Sequence, residues 1–227
     1  MSQAKLTIRA NFQRPANALV EAFRTAPTGP VADALGRYGA LDHTIRPLTT
    51  ATRFVGTALT VWTVPRDNLA PYAALKFAKP GDVLMVASAG EDEAAIMGDI
   101  AIGMAKNAGI VAVVTDGLVR DIDGIEAVGI PVFARGLTPN SPFKNGPGTI
   151  GLPIALGRVA IAPGDIVVGD KDGVVVVPQG RAEAAKTALA TVLAKEADME
   201  KVVAAGTSHP AWLDSVLDGE DVEFVEE

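Results

Sequence analysis

At 227 residues, 48% apolar and only 5% aromatic, the chain is long enough for one sizeable core built from Ala, Val, Ile and Leu, a composition that suits alternating strands and helices. A net charge of −7 without any block of Lys or Arg argues against nucleic-acid binding, and the lack of cysteine excludes disulfides, thiolate metal sites and a cysteine nucleophile. Residues 1–10 carry no apolar signal core and no run approaches a membrane span, so the expectation is a cytoplasmic protein of one domain, 1–227, with no membrane partner.

Apolar positions Leu19, Val20 and Phe23 recur at helical spacing before the breaker Pro27–Pro30, and a short second helix is expected over Val31–Tyr38. Asp33 within it is a surface charge or a site carboxylate, and the base rate for acidic residues favours the surface. Phe54–Val64 is β-branched and reads as a strand that Pro65 stops. Asp67 or Asn68 then caps a helix whose apolar face uses Leu69, Tyr72, Ala73, Leu75 and Phe77, or else the pair approaches a ligand from its loop. Lys79–Asp82 forms a type II turn into a strand over Val83–Val86, and the device returns at Pro163–Asp165 before Ile166–Val168. Glu91–Glu93 reads as a solvated loop.

The stretch Gly98–Asp121 combines a helix start, a buried strand and a polar loop. Gly98 opens the helix and leaves the amides of Asp99, Ile100 and Ala101 without intrahelical acceptors, an arrangement that attracts anions. Ile100, Met104 and Ala108 are expected to form its buried stripe, with Met104 as core filler. Ile110–Val114 lacks polar alternation, which suits a strand covered on both faces, and it delivers Asp116, Arg120 and Asp121 to a loop at its carboxyl end.

Ile122–Val128 reads as a short helix or turn and Pro131–Ala134 as a brief strand. The Gly- and Pro-rich connection Arg135–Pro153 is either functional or mobile. It contains a formal G-x-G-x-x-G pattern from Gly146 to Gly151, which is not a dinucleotide site because no strand precedes it and no helix follows. Ile154–Ala162, Ile166–Val168 and Val174–Val177 are expected strands, with a hairpin turn at Asp170–Gly173. A helix over Gln179–Ala205 would present Leu189, Val192, Leu193, Met199, Val202 and Val203 as its apolar face, and Trp212–Glu227 is an acidic peripheral tail.

His43 and His209 stand in no metal-ligand spacing, and there is no G-x-S-x-G elbow. What remains concentrated is Asp99, Asp116, Arg120 and Asp121. Oxygen-only donors favour a hard divalent cation such as Mg²⁺ or Mn²⁺, and Arg120 can grip a carboxylate or a developing enolate oxygen with its fork of donors. With the amides of the helix start, these groups would make a site for a small 2-oxo acid; the plainer reading is an Arg–Asp ion pair that orders the loop.

Taken in order, Gly56–Thr60, Asp67–Asn68, Pro80–Leu84, Gly98–Asp99, Gly109–Asp121, Pro131–Ala134 and Pro163–Pro178 resemble the 4-hydroxy-4-methyl-2-oxoglutarate aldolases and the related regulators of ribonuclease activity A. The resemblance implies an α/β fold, a β/β/α sandwich like the swivelling phosphohistidine domain, with a core over about 30–178, a C-terminal helical segment over about 179–227, and assembly as homotrimers or homohexamers. It implies substrate binding by Gly98, Asp99, Ile100, Ala101 and Arg120, and catalytic roles for Arg120 and for Asp99, which orders water at the metal. It places a Mg²⁺ or Mn²⁺ on Asp121, with Glu196 of an adjacent subunit completing the site through water. The implied reaction is retro-aldol cleavage of a 4-hydroxy-2-oxo diacid to pyruvate, with oxaloacetate decarboxylation as a side activity. The Arg135–Pro153 connection is more like the regulator branch, which implies the alternative of a non-catalytic protein that binds a ribonuclease.

Overall fold

The computed structural model describes residues 4–225. The chain divides into two compact units, Met1–Leu189 and Ala190–Glu227. In the first, four parallel strands form the centre of a mixed sheet: Phe54–Thr63, Asp82–Ala87, Ala112–Thr115 and Val132–Ala134, in that order. Their runs rich in Val, Leu and Ala give them two buried faces, as parallel strands require. Helices Leu69–Ala74, Asp99–Asn107 and Ile122–Val128 connect successive strands and cover one face, burying Leu59, Leu84, Val86, Val113 and Val132 against Ile102, Ala105 and Ile125. The alternate residues Ala58, Val83, Met85, Val114 and Phe133 point into a second cluster on the other face.

That second face is covered by β structure. Ile166–Asp170 and Gly173–Val177 form a hairpin that pairs antiparallel with the start of the Phe54–Thr63 strand, Ile166 opposite Thr57. Its alternation splits the hairpin cleanly: Val167, Val174 and Val176 enter the second cluster, while Ile166, Val168, Val175 and Val177 pack on Val20, Phe23, Val31 and Leu35. The result is the β/β/α layering of an α/β fold. Each fully buried Val, Leu or Ile contributes about 1.5–3 kcal/mol, so this three-cluster core dominates stability. The packing of Val20 and Phe23 carries the core closer to the N-terminus than residue 30.

The two Pro-Gly-Asp turns behave alike. Gly81 and Gly164 both take positive φ, and the following Asp82 and Asp165 each accept the N–H of the residue three positions earlier. Asp82 also receives both donors of Arg14, at 2.8 and 2.7 Å, which anchors the N-terminal segment. Gly148–Ile150, inside the formal G-x-G-x-x-G pattern, is a strand between Leu6–Ile8 and Phe54–Thr63, and no helix follows it.

Several expectations are corrected. The region Ile154–Ala162 is two strands, Ile154–Leu156 and Val159–Ile161, folded back at Gly157 and Arg158. Ile100 and Met104 are 66% and 49% exposed; the buried stripe of their helix is Ala101, Ile102 and Ala105, because small side chains let this helix sit close to the sheet. Glu91 is 4% exposed rather than solvated, its carboxylate accepting the amides of Glu93 and Ala94 at 2.7 and 2.8 Å. The long C-terminal helix is Ala182–Ala204, and of its expected apolar face only Leu189 is buried, with Ala182 and Ala185. The second unit contains the remainder of that helix and the helix Trp212–Leu217, and its apolar residues Met199, Val202, Val203 and Trp212 are exposed. No helix of the described residues is long and apolar enough to cross a membrane. Glu226 and Glu227 of the expected acidic tail lie outside the described residues.

Candidate active site

Three of the central strands continue, after short loops, into a small parallel sheet: Ala95–Met97, Leu118–Val119 and Gly136–Leu137. The loop expected between Thr115 and Asp121 is therefore interrupted by a strand, which separates Asp116 from Arg120 and Asp121. Where the small strands end, the chain is held by Arg120 N–H donating to Met97 O at 3.1 Å and Thr138 N–H donating to Val119 O at 3.0 Å. Helices Asp99–Asn107 and Ile122–Val128 start at this edge, so Gly98, Asp99, Arg120 and Asp121 meet at neighbouring strand ends.

Gly98 is extended, φ −124° and ψ −174°, a conformation open to any residue. Its requirement is space. A Cβ there would collide with Asp121 Oδ2 and lie 3.2 Å from Arg120 Nε. Gly124 plays the same part for Asp99: a Cβ on Gly124 would stand 2.7 Å from Asp99 Cβ. Asp99 Oδ1 accepts the Ile100 N–H at 2.7 Å, so of the three amides in the first turn that of Ile100 is engaged by the protein.

Arg120 Nε lies 3.1 Å from Asp121 Oδ2, and Arg120 Nη1 donates to Ser141 Oγ. The guanidinium is thereby fixed from two sides while both members of the pair remain partly exposed. Asp121 adopts the left-handed conformation, φ 59° and ψ 47°, which a short polar side chain tolerates better than most and which costs about 1–2 kcal/mol. Its Oδ1 enters no hydrogen bond among the described residues, and its side chain is 45% exposed.

These groups line one cleft of about 80 Å³. Gly98, Asp99, Ile100, Ala101, Arg120 and Asp121 are all brought together there. Glu196 is exposed and belongs to the second unit. Asp116 is not part of the cleft: its carboxylate accepts Ser88 N–H at 2.7 Å, Ser88 Oγ–H at 2.9 Å and Gly90 N–H at 3.1 Å, which makes it the brace of a neighbouring loop.

The connection Arg135–Pro153 supplies Ser141, Pro142 and Lys144 to the cleft, residues that motif reasoning did not single out. The one available signal was the length of that connection. Lys144 Nζ sits 5.9 Å from the centroid of the Tyr72 ring and pairs with no carboxylate of the described residues. Asn68 also lines the cleft. Asp67 instead braces the loop, Oδ1 accepting the Leu69 N–H at 2.9 Å and Oδ2 the Asn145 N–H.

Among the described residues, no three His, Cys, Asp or Glu side chains form a metal-holding cluster. A cation held by one carboxylate and a mostly aqueous shell fits this donor set, because Asp121 keeps one oxygen outside its pair with Arg120 and its side chain is 45% exposed.

A model of the RraA-like family, described as Aldolase/RraA, matches residues 28–176. A protein of Halalkalibacterium halodurans named "Putative 4-hydroxy-4-methyl-2-oxoglutarate aldolase" is 45% identical over 161 residues, 71% of this chain and 77% of that protein. Among solved structures, an uncharacterized protein from Pseudomonas syringae pv. tomato is 28% identical with a TM-score of 0.75, covering 87% of this chain and 97% of its own. Streptomyces coelicolor RraAS2, described as an unusual member of the RNase ES inhibitor RraA protein family, is 29% identical with a TM-score of 0.73, covering 83% of this chain and 100% of its own.

Proposed function

The chain belongs to the RraA-like family, and from that footing we propose that it is a divalent-metal-dependent lyase that cleaves a 4-hydroxy-2-oxo diacid to pyruvate by a retro-aldol reaction. The observation that carries the reading is the convergence of a helix start, an Arg–Asp pair and a lysine without a carboxylate partner on one small cleft. Two cations, Arg120 and Lys144, match the two negative ends that a diacid presents, with the amides of Asp99 and Ala101 available to the carboxylate next to the keto group.

In the reaction a water oriented by Asp99 takes the C4 hydroxyl proton, the hydroxyl oxygen becomes the carbonyl of the second product as the bond between C3 and C4 breaks, and the electron pair of that bond moves to the 2-oxo oxygen as an enolate; C3 then takes a proton back from water to give pyruvate. The guanidinium of Arg120 is held by Asp121 and Ser141 and so meets the developing enolate charge without reorganising. Asp99, seated on Gly124, holds and orients water beside the reacting atoms. A Mg²⁺ or Mn²⁺ would be held by Asp121, with Glu196 of the partner subunit reaching it through water in a trimer or hexamer, and would supply a Lewis acid for the 2-oxo oxygen. Oxaloacetate forms the same enolate on loss of CO₂, so decarboxylation is the expected side activity.

The test is pyruvate release from 4-hydroxy-4-methyl-2-oxoglutarate and from oxaloacetate, with Mg²⁺, with Mn²⁺ and with chelator. Chelator-sensitive release is expected. Failure to turn over any 2-oxo acid under all three conditions would remove the lyase reading. The second reading, a non-catalytic partner of a ribonuclease, draws on the description of the Streptomyces coelicolor neighbour. It predicts recovery of an RNA-degradation protein on this chain from native lysate and indifference of that capture to Arg120→Ala.

A further inference from the structure

Among the described residues, the buried side-chain atom left without a hydrogen-bond partner is Asn68 Oδ1. Asn68 occupies the N-cap position of the helix Leu69–Ala74, where an asparagine ordinarily turns its oxygen to the first-turn amides, yet it makes no such cap. The neighbouring Asp67 takes the Leu69 amide. The Asn68 amide nitrogen donates to Ile96 O at 3.1 Å, which fixes the orientation of the carboxamide and leaves its oxygen as the free end. The residue is 5% exposed and lines the same cleft as Arg120 and Lys144.

A buried carbonyl without a donor is unfavourable unless something that binds supplies one. At neutral pH both carboxylates of a 4-hydroxy-2-oxo diacid are ionised and its ketone only accepts, so the hydroxyl is its sole donor. Arg120, Lys144 and the amide N–H groups serve acceptors, and in the proposed site the carboxylates of Asp99 and Asp121 are taken up by water and by the cation, which leaves Asn68 Oδ1 as the neutral acceptor for a hydroxyl.

We propose that Asn68 Oδ1 accepts the substrate hydroxyl and is the residue by which the cleft selects hydroxylated over non-hydroxylated oxo diacids. The assignment rests on the lyase reading for the identity of the substrate. A site with a buried acceptor discriminates against an analogue lacking the donor, because that analogue leaves the acceptor unpaired.

The test is calorimetric titration of the full chain with 4-hydroxy-2-oxoglutarate and with 2-oxoglutarate, which differ only in the hydroxyl, in chelator so that no cleavage intervenes. The expected result is roughly tenfold tighter binding of the hydroxylated diacid. In Asn68→Ala, and in the volume-filling Asn68→Leu, the preference falls to within about twofold. Equal affinities in the unmodified chain, binding of neither diacid, or a preference that survives in either folded variant would overturn the assignment. Pyruvate release from 4-hydroxy-2-oxoglutarate with Mg²⁺ is followed in parallel. A preference without release leaves the role of Asn68 standing and counts against cleavage of this diacid; release without a preference overturns the role of Asn68 and leaves the lyase reading standing.

Discussion

Asp116 and Asp121 lie five residues apart, on either side of the short strand Leu118–Val119, and the chain uses the two carboxylates in opposite ways. Asp116 accepts three hydrogen bonds from Ser88 and Gly90 and ties two strand ends together. Asp121 takes a strained backbone, pairs among the described residues with the adjacent Arg120 alone, and keeps an oxygen uncommitted at the rim of a cleft. A saturated carboxylate stabilises the fold. An unsaturated one, held where a ligand can reach it, is available for chemistry, and the difference lies in the partners that the tertiary structure provides.

The sharpest way to break this contrast is Arg120→Ala. We expect kcat for pyruvate release to fall by about 10²–10³, the scale for removing a preorganised donor to a developing oxyanion. Thermal stability should hardly move, because the pair with Asp121 is partly exposed and such pairs are worth about 0–1 kcal/mol. A large loss of Tm with little loss of kcat would make the pair a structural tie like that of Asp116.

Asp116→Ala should give the mirror image. Removing a carboxylate that accepts three hydrogen bonds strands the amide of Ser88, which is fully buried, so unfolding free energy should fall by about 2–4 kcal/mol in denaturant titrations. The folded fraction should retain more activity than Arg120→Ala. Gly98→Ala comes next, since its Cβ would meet Asp121 Oδ2 and crowd Arg120. Displacement of the pair by a fraction of an ångström should lower kcat/KM by about tenfold to a hundredfold, with stability changed by about 1 kcal/mol.

The contrast also marks what the linear sequence makes legible. The central strands announce themselves as apolar β-branched runs, and the pocket residues Gly98, Asp99, Arg120 and Asp121 stand in motifs. The small sheet does not, because strands of two or three residues such as Leu118–Val119 carry no period; without it, Asp116 and Asp121 look like members of one loop. Helix faces mislead for a related reason. Ile100 and Met104 outrank Ala101 and Ala105 in hydrophobicity, but close approach to a sheet favours the smaller pair. Lys144 and Ser141 reach the cleft from a connection whose course depends on long-range pairing of Gly148–Ile150 with Phe54–Thr63, which local pattern does not encode.

The smallest predicted effect extends the contrast to Asp165, a carboxylate more deeply committed to structure than Asp116. Both of its oxygens accept backbone amides, those of Ala162 and Gln179 at 2.8 and 2.9 Å, and the residue is almost fully buried. Burial raises its pKa above the ordinary 3.8, against the opposing pull of those two hydrogen bonds. Between the unfolded and the raised folded value, the folded chain binds more protons than the unfolded one, so this group makes stability fall as pH rises through that window. In Asp165→Asn the contribution disappears, while one side-chain oxygen still accepts an amide. Denaturation of both proteins at a series of pH values from just below 3.8 upward should therefore show the stability advantage of the unmodified chain shrinking as pH rises. An advantage that grows with pH would mean that the hydrogen bonds outweigh desolvation, and that saturation by backbone donors alone suffices to make a buried carboxylate stabilising as an anion.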